Sequence, residues 1–198
     1  MGIAGLLLAA GEGRRYGRPK ALVEHEDGRL FVDRAADVLR EGGCAPVFVV
    51  LGAAADTVRT AASLEGVSVV DNPLWSTGMG SSLRAGLAAL ASTDADAAVV
   101  LLVDTPGIPA AAVGRLREAA ATDPGTALVM ATYGGKRGHP VLLGRAHWDG
   151  VAELAVGDVG ARPYLAHRQV IEVGCDDIAD PTDLDVPGGG VRAVHSGE

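Results

Sequence analysis

Short, almost uninterrupted apolar runs recur along this chain and alternate with longer segments whose apolar residues fall at helical spacing. Ile3–Ala9, Val47–Leu51, Val67–Val70, Ala97–Val103 and Ala127–Thr132 read as strands. Leu30–Glu41 (stopping at Gly42-Gly43), Asp56–Leu64, Ser82–Ala91 and Pro109–Ala121 read as the helices between them. Strands without a polar face must be covered on both sides, which calls for a mostly parallel sheet flanked by helices. The expected fold is therefore α/β, a single-domain three-layer α/β/α sandwich with a Rossmann-like, mostly parallel sheet. Beyond residue 134 the alternation loosens into a Gly-rich turn, a short Pro140–Leu143 strand, helical stretches near 146–155 and 160–167, and a last strand at Gln169–Val173. Residues 1–186 read as one domain, and 187–198, which lack a core pattern, as a flexible C-terminal tail.

Composition removes several function classes. At 198 residues the chain is long enough for one full core. Aromatics are only 4%, too few for carbohydrate platforms or base-stacking sheets. A formal charge of -8 makes the chain a poor general binder of nucleic acid or anionic membrane, so any anionic ligand needs a local basic cluster. The apolar run Ile3–Ala10 is too short to span a bilayer, and its positive charges follow it rather than precede it. Cys44 and Cys175 have no metal-binding spacing and read as reduced, buried thiols of a cytoplasmic protein.

Ligands of open α/β sheets bind beyond the carboxyl ends of the strands. The conspicuous polar segments fall there: Gly11–Lys20 after the first strand, Asn72–Ser82 after the third, and Asp104-Thr105-Pro106 after the fourth. Gly11, Gly13 and Gly17 allow a tight loop whose amides approach phosphate oxygens, and Arg14, Arg15, Arg18 and Lys20 place four cations within seven residues. The loop is not a Walker A, because Gly17 is followed by Arg18-Pro19 and no Ser or Thr follows Lys20. It is not a dinucleotide fingerprint either. Its glycines read G-x-G-x-x-x-G, and the second strand runs into Gly52-Ala53 without the ribose-binding acid. Ser81 or Ser82 would cap the helix after the third strand and leave its free amides facing a ligand.

The run L-A-A-G-x-G-x-R-x-G-x-P-K-x-L at residues 8–22 resembles the signature of nucleotidyltransferases that activate small molecules, most closely the MobA/MocA branch acting on the molybdenum cofactor. The likeness continues in order through NPLWSTGMGSSLRAGL (72–87), VDTPGIP (103–109, with Thr105 where the family has Gln), KRGHPVLLGR (136–145), GDVGAR (157–162) and DLDVPGG (183–189). In the last, Val186 and two glycines replace the family's Thr and acidic pair. The resemblance implies a fold of the nucleotide-diphospho-sugar transferase type.

It further implies that Arg15 and Lys20 are catalytic and that Ala9, Ala10, Gly11, Gly13, Lys20, Asn72, Ser81 and Ser82 bind nucleotide. His139, Gly157, Asp158 and Arg162 would bind the acceptor, and Asp104 and Asp185 would hold Mg2+, with Asp177 and Asp180 competing for the second position. The Ala9-Ala10-Gly11 opening and the GHP and GDxGAR stretches resemble cytidylyl-transferring members, implying CTP rather than GTP and molybdopterin as acceptor, with transient contact to a molybdoenzyme maturation partner. Three rival readings stand beside it: a nucleotidyltransferase for a sugar or polyol phosphate, an NAD(P)-dependent oxidoreductase, and a non-catalytic nucleotide-binding module.

Overall fold

The computed structural model describes residues 2–183; Asp185 and the tail expected at 187–198 lie outside the described residues. Seven strands form one sheet: β1 (Gly2–Leu8), β2 (Val47–Leu51), β3 (Ser68–Asp71), β4 (Ala95–Leu102), β5 (Leu128–Tyr133), β6 (Lys136–Gly144) and β7 (Ile171–Gly174). Their spatial order is β3-β2-β1-β4-β6-β5-β7. The pairs β1–β2, β1–β4, β2–β3 and β5–β7 are parallel, and only β6 runs against its neighbours β4 and β5. Among the described residues the α-helices are α1 (Phe31–Glu41), α2 (Ala55–Ala61), α3 (Met79–Leu90), α4 (Ala110–Ala119), α5 (Trp148–Leu154) and α6 (Arg162–Leu165).

The three layers follow from strand alternation, since successive side chains point to opposite faces. Ile3 and Leu7 of β1, Val49 of β2 and Val99 and Leu101 of β4 face one cluster, closed by Val32 and Leu39 of α1, Val58 of α2 and Val113 and Leu116 of α4. Ala4, Leu6 and Leu8, Val50, and Ala98 and Val100 face the other, closed by Leu83, Leu87 and Leu90 of α3, Trp148 and Val151 of α5 and Leu165 of α6. Two glycines let helices sit close on β1. A Cβ at Gly5 would lie 3.0 Å from Leu39 Cβ, and one at Gly86 would lie 2.4 Å from Leu6 Cδ1. Small side chains thus replace aromatic bulk throughout the interior.

Three segments differ from their sequence-based expectation. The helix expected over Asp56–Leu64 ends at Ala61. The Asp33 carboxylate accepts hydrogen bonds from the amides of Ser63 (3.2 Å) and Leu64 (2.9 Å), and Leu64 turns to φ +43°, which pulls the chain off the helix. The strand expected at Pro140–Leu143 extends over nine residues. Gly134 and Gly135, both at positive φ, form a two-residue hairpin turn, so pairing with β5 starts at Tyr133–Lys136. The helix expected from Ser82 starts at Met79, for a reason found at the candidate site.

Leu7 is fully buried at the centre of the sheet. Leu7→Ala removes three heavy atoms from a close-packed interior and is expected to cost about 2–5 kcal/mol in chemical denaturation. A loss below about 1 kcal/mol would contradict the packing described.

Candidate active site

The edge of the sheet at the ends of β1 and β4 is level, because Leu8 pairs with Leu102 and the Val103 amide donates to the Leu8 carbonyl at 3.2 Å. Ala9 and Ala10 prolong β1 as buried residues. The Ala9 amide donates to Val50 O (3.0 Å), and Ala10 O accepts from the Ala53 amide (2.9 Å). The chain then leaves the sheet and folds back on itself, with the Gly17 amide donating to Gly13 O at 2.8 Å. Gly13 has φ +66°, and a Cβ there would lie 1.9 Å from the Arg18 carbonyl oxygen, so only glycine fits the crossing. Gly11 is exposed, as are Arg14, Arg15 and Arg18, while Arg14 pairs with Glu12. A basic, glycine-shaped rim thus stands over the carboxyl end of β1.

The loop re-enters the domain at a short 3-10 turn, Lys20–Leu22, whose Ala21 is buried. There Lys20 Nζ donates to Asp104 Oδ2 at 3.1 Å, with the two side chains only 13% and 26% exposed. Residues expected to serve as phosphate-directed cation and metal ligand therefore touch, although 84 positions apart in sequence. The other carboxylate oxygen, Asp104 Oδ1, is buried and has no hydrogen-bond partner among the described residues. An orphaned buried carboxylate oxygen is costly unless a ligand completes it, and hard divalent cations prefer such oxygens.

His139 joins this group. β6 runs antiparallel to β4 with Val100 opposite Val141, and His139, two residues before Val141, lies close enough to Asp104 for the carboxylate to act on its imidazole. The Tyr133 hydroxyl, which the sequence pattern does not single out, donates to the His139 carbonyl at 2.7 Å across the hairpin. Burial lowers the His139 pKa to about 4; the Asp104 carboxylate opposes that shift and the Arg162 guanidinium adds to it. His139 is thus a neutral imidazole at neutral pH, close enough to Asp104 and Arg162 to feel both charges.

The segment after β3 is capped and bonded differently from the expectation. Asn72, Ser81 and Ser82 are buried and tied to one another. Asn72 Nδ2 donates to both serine hydroxyls (2.8 and 3.0 Å), and Asn72 Oδ1 accepts from the Leu74 amide at 3.0 Å. Neither serine caps α3, whose N-cap is Gly78 at φ +110°. The amides at its start are not free either. The Met79 amide donates to Asp158 Oδ1 (3.2 Å), the Gly80 amide to Gly157 O (2.8 Å) and the Ser81 amide to Gly78 O (3.1 Å). A carboxylate on the positive end of the helix dipole lets α3 begin three residues earlier than expected. Gly78 and Gly80 permit this contact, since a Cβ at either would lie 2.4 Å from backbone carbon or oxygen of residues 155–157. Arg14 is held above the usual guanidinium range mainly by its hydrogen bond to Glu12, with the Asp158 carboxylate adding to it.

Other expected residues are accounted for elsewhere. Asp177 is held below the usual carboxylate range by the Arg115 guanidinium, which it binds at 2.7 and 3.0 Å. Asp180 is held low by the Thr182 hydroxyl and amide. Both carboxylates thus already have partners, and the other expected carboxylate, Asp185, lies outside the described residues. Among the described residues, no group of three or more His, Cys, Asp or Glu side chains is placed to hold a metal ion. Trp148 is a packing residue with its indole N–H on Leu143 O, and Trp75 packs over Gly52 beside Ala10. Cys44 and Cys175 are buried free thiols, and burial pushes Cys44 up to about 12. A cavity of about 300 Å³ lies between α1 and residues 103–109, and none of the expected site residues lines it. No helix of the described residues is long and apolar enough to cross a membrane.

With this geometry in place, likeness to known proteins carries meaning. Residues 5–173 match the profile of the MobA-like NTP transferase domain. The nicotine blue oxidoreductase of Paenarthrobacter nicotinovorans is 39% identical over 92% of both chains. A probable molybdenum cofactor guanylyltransferase of Opitutus terrae is 38% identical over 59% of this chain and 55% of its own length. The crystal structure of the Mycobacterium tuberculosis protein Rv0371c has a TM-score of 0.81 and 30% identity, covering 94% of each chain, and that protein has also been solved in complex with manganese.

Two outcomes follow from the geometry. Asn72→Ala strands two buried serine hydroxyls and the Leu74 amide, and is expected to cost about 1–3 kcal/mol in denaturant unfolding; an unchanged midpoint would show that the knot is not structural. His139 titrates near 6.5 when unfolded and about 4 when folded, so between those pH values the unfolded chain binds the extra proton. Stability is therefore lost as pH falls through that window, and His139→Gln should lose less over the same interval. Parallel pH curves for the two proteins would contradict the assignment.

Proposed function

The chain belongs to the MobA-like NTP transferase family, and on that premise we propose that it is a Mg2+-dependent nucleotidyltransferase acting in the cytoplasm on a phosphorylated small molecule. The preferred donor is CTP and the preferred acceptor molybdopterin, with GTP the alternative donor and a sugar or polyol phosphate the alternative acceptor. The observation that carries this reading is the meeting of Lys20 and an incompletely satisfied Asp104 under the basic rim at the ends of β1 and β4. The lean to CTP rests on resemblance alone: the Ala9-Ala10-Gly11 opening and the GHP and GDxGAR stretches are similar to those of cytidylyl-transferring members.

In the transfer, an acceptor phosphate oxygen forms a bond to the α-phosphorus of the nucleotide. The bond from that phosphorus to the bridging oxygen of the β-phosphate breaks, and pyrophosphate leaves with the electron pair. Such chemistry asks the protein mainly to align two anions and to neutralise charge. The exposed Arg15 presents a bidentate fork to the phosphates, and Lys20 a compact point charge to the α-phosphate. Backbone amides of Gly11 and Gly13 approach the phosphates where side chains would intrude. A divalent cation, once bound, would add Lewis-acid polarisation of the phosphoryl oxygens, and Asp104, joined by Asp185, is the residue that would hold it. Neutral His139 with Arg162 lines the acceptor side, where an uncharged imidazole donates or accepts a hydrogen bond. Asp158 and Gly157 act there by fixing the acceptor loop onto α3. The activated product then passes to a molybdoenzyme maturation partner.

A second reading has one specific observation behind it. The relative named nicotine blue oxidoreductase matches nearly the full chain, which makes binding of a reduced nicotinamide dinucleotide a concrete alternative. Against it stand the G-x-G-x-x-x-G spacing and the end of β2, which runs into Gly52-Ala53 rather than an acid. Thermal shift with CTP, GTP, ATP, NADH and NADPH, each with and without Mg2+, separates the two. Saturation at a hundred times the dissociation constant adds about 2.7 kcal/mol, or roughly 5–11 °C here. A Mg2+-dependent shift with CTP supports the proposal and one with GTP alone moves the donor; a shift with a dinucleotide alone overturns it. Arg15→Ala and Lys20→Ala are each expected to lower kcat about 10²–10³-fold in a pyrophosphate-release assay. Unchanged turnover in either would remove that residue from the mechanism.

A further inference from the structure

We infer that the indole of Trp75 is the stacking platform for the base of the bound nucleotide. This rests on the reading of the Gly11–Lys20 loop as the phosphate side of a nucleotide site and adds the residue that holds the base. Gly52 directly follows β2, at the place where a dinucleotide-binding sheet carries its ribose acid. Here Trp75 covers that place. A Cβ at Gly52 would lie 2.4 Å from Trp75 Cβ, 2.7 Å from Trp75 Cγ and 2.9 Å from Ala10 Cβ, so the root of the indole, Gly52 and the start of the glycine loop are packed together. Trp75 is partly buried against the cluster that holds Ala10 and Val50, on the α3 side of the sheet. A nucleotide whose phosphates lie on the Gly11 and Gly13 amides therefore has an aromatic ring beside it.

The backbone that carries the ring is fixed without any ligand. Trp75 opens the 3-10 turn Trp75–Thr77. Its amide donates to Asn72 O at 3.2 Å, and its carbonyl accepts from the Gly78 amide at 3.2 Å. Asn72 is itself held by Ser81 and Ser82. A ring anchored in this way loses little freedom when a base stacks on it. Packing does not use the whole indole. Trp148 is 4% exposed and donates its N–H to Leu143 O at 2.9 Å, as a buried indole ordinarily does. Trp75 is only half-buried, and its N–H has no hydrogen-bond partner among the described residues. The chain has two tryptophans, three tyrosines and two phenylalanines and fills its interior with small side chains, so bulk alone does not account for a half-exposed tryptophan at this loop. One ring serves one base and does not make the multi-base sheet that the composition excludes. Every base has a π-face, so the platform gives affinity without choosing between CTP and GTP.

The test is binding without turnover, by calorimetry and tryptophan fluorescence, of CTP, GTP and inorganic tripolyphosphate with Mg2+ to wild type, Trp75→Phe and Trp75→Leu. Trp75→Leu should bind both nucleotides about 10–100-fold more weakly than wild type, and Trp75→Phe should keep most of the affinity. Tripolyphosphate, which has no base, should bind all three proteins alike. Both nucleotides should quench the emission of wild type but not that of Trp75→Leu, in which buried Trp148 alone emits. Equal nucleotide affinity of wild type and Trp75→Leu overturns the inference and leaves the nucleotide site standing. An equal loss for tripolyphosphate also overturns it, because Trp75 would then only brace the loop. Failure of wild type to bind either CTP or GTP overturns the nucleotidyltransferase reading and the inference with it. Should Trp75→Leu fail to fold, wild type decides. Nucleotide should shield its emission from acrylamide and tripolyphosphate should not; equal shielding by the two, or none by nucleotide, overturns the inference.

Discussion

The parallel pairing of β1 with β4 is the constraint on which the rest of the site depends. Its register holds the ends of both strands level, so whatever follows each must share one small volume. From β1 comes the glycine loop that returns at Lys20, and from β4 comes Asp104. Had the pairing slipped by one residue, the buried alternation of both strands would have inverted and the ion pair would not form. β6, running antiparallel on the far side of β4, brings His139 to the same edge. Core packing and site assembly therefore come from one set of backbone hydrogen bonds.

A second dependence runs through the start of α3. In a chain that exposes a basic loop, an uncapped helix N-terminus nearby would be a competing anion site. Asp158 and the Gly157 carbonyl fill it, at the cost of demanding glycine at positions 78 and 80. The same contact ties the 157–162 segment, which carries Arg162, to the segment leaving β3. Residues 157–162 are thus held against the start of α3, and the polar knot of Asn72, Ser81 and Ser82 ties the same helix to the segment leaving β3.

Strand and helix positions were legible because both faces of β1, β2 and β4 are apolar and the intervening helices carry clear spacing. The Gly11–Lys20 loop stands out for a related reason: glycines and cations clustered after a buried strand have few structural uses in an acidic chain. What escaped the linear reading was pairing between distant residues. Ser81 and Ser82 look like caps because they open an apolar run, yet the N-cap is Gly78 and the carboxylate that takes the Met79 amide is Asp158, 79 positions away. The apolar pattern confines the strand to Pro140–Leu143, whereas the Gly134-Gly135 turn pairs Lys136 and Arg137 with Tyr133 and Thr132. The local pattern continues the helix to Leu64, and nothing near it in sequence announces the Asp33 carboxylate that bends it away.

The account centres on one claim, that the group at Lys20 and Asp104 serves phosphoryl chemistry rather than electron transfer. Its most direct test is acceptor-dependent pyrophosphate release from α-³²P-labelled CTP or GTP with Mg2+ and molybdopterin, run beside NADH and NADPH oxidation with the same protein. The account predicts one pyrophosphate for each labelled dinucleotide formed, and no dinucleotide oxidation. Consumption of NADH or NADPH without any nucleotide-dependent pyrophosphate would contradict it.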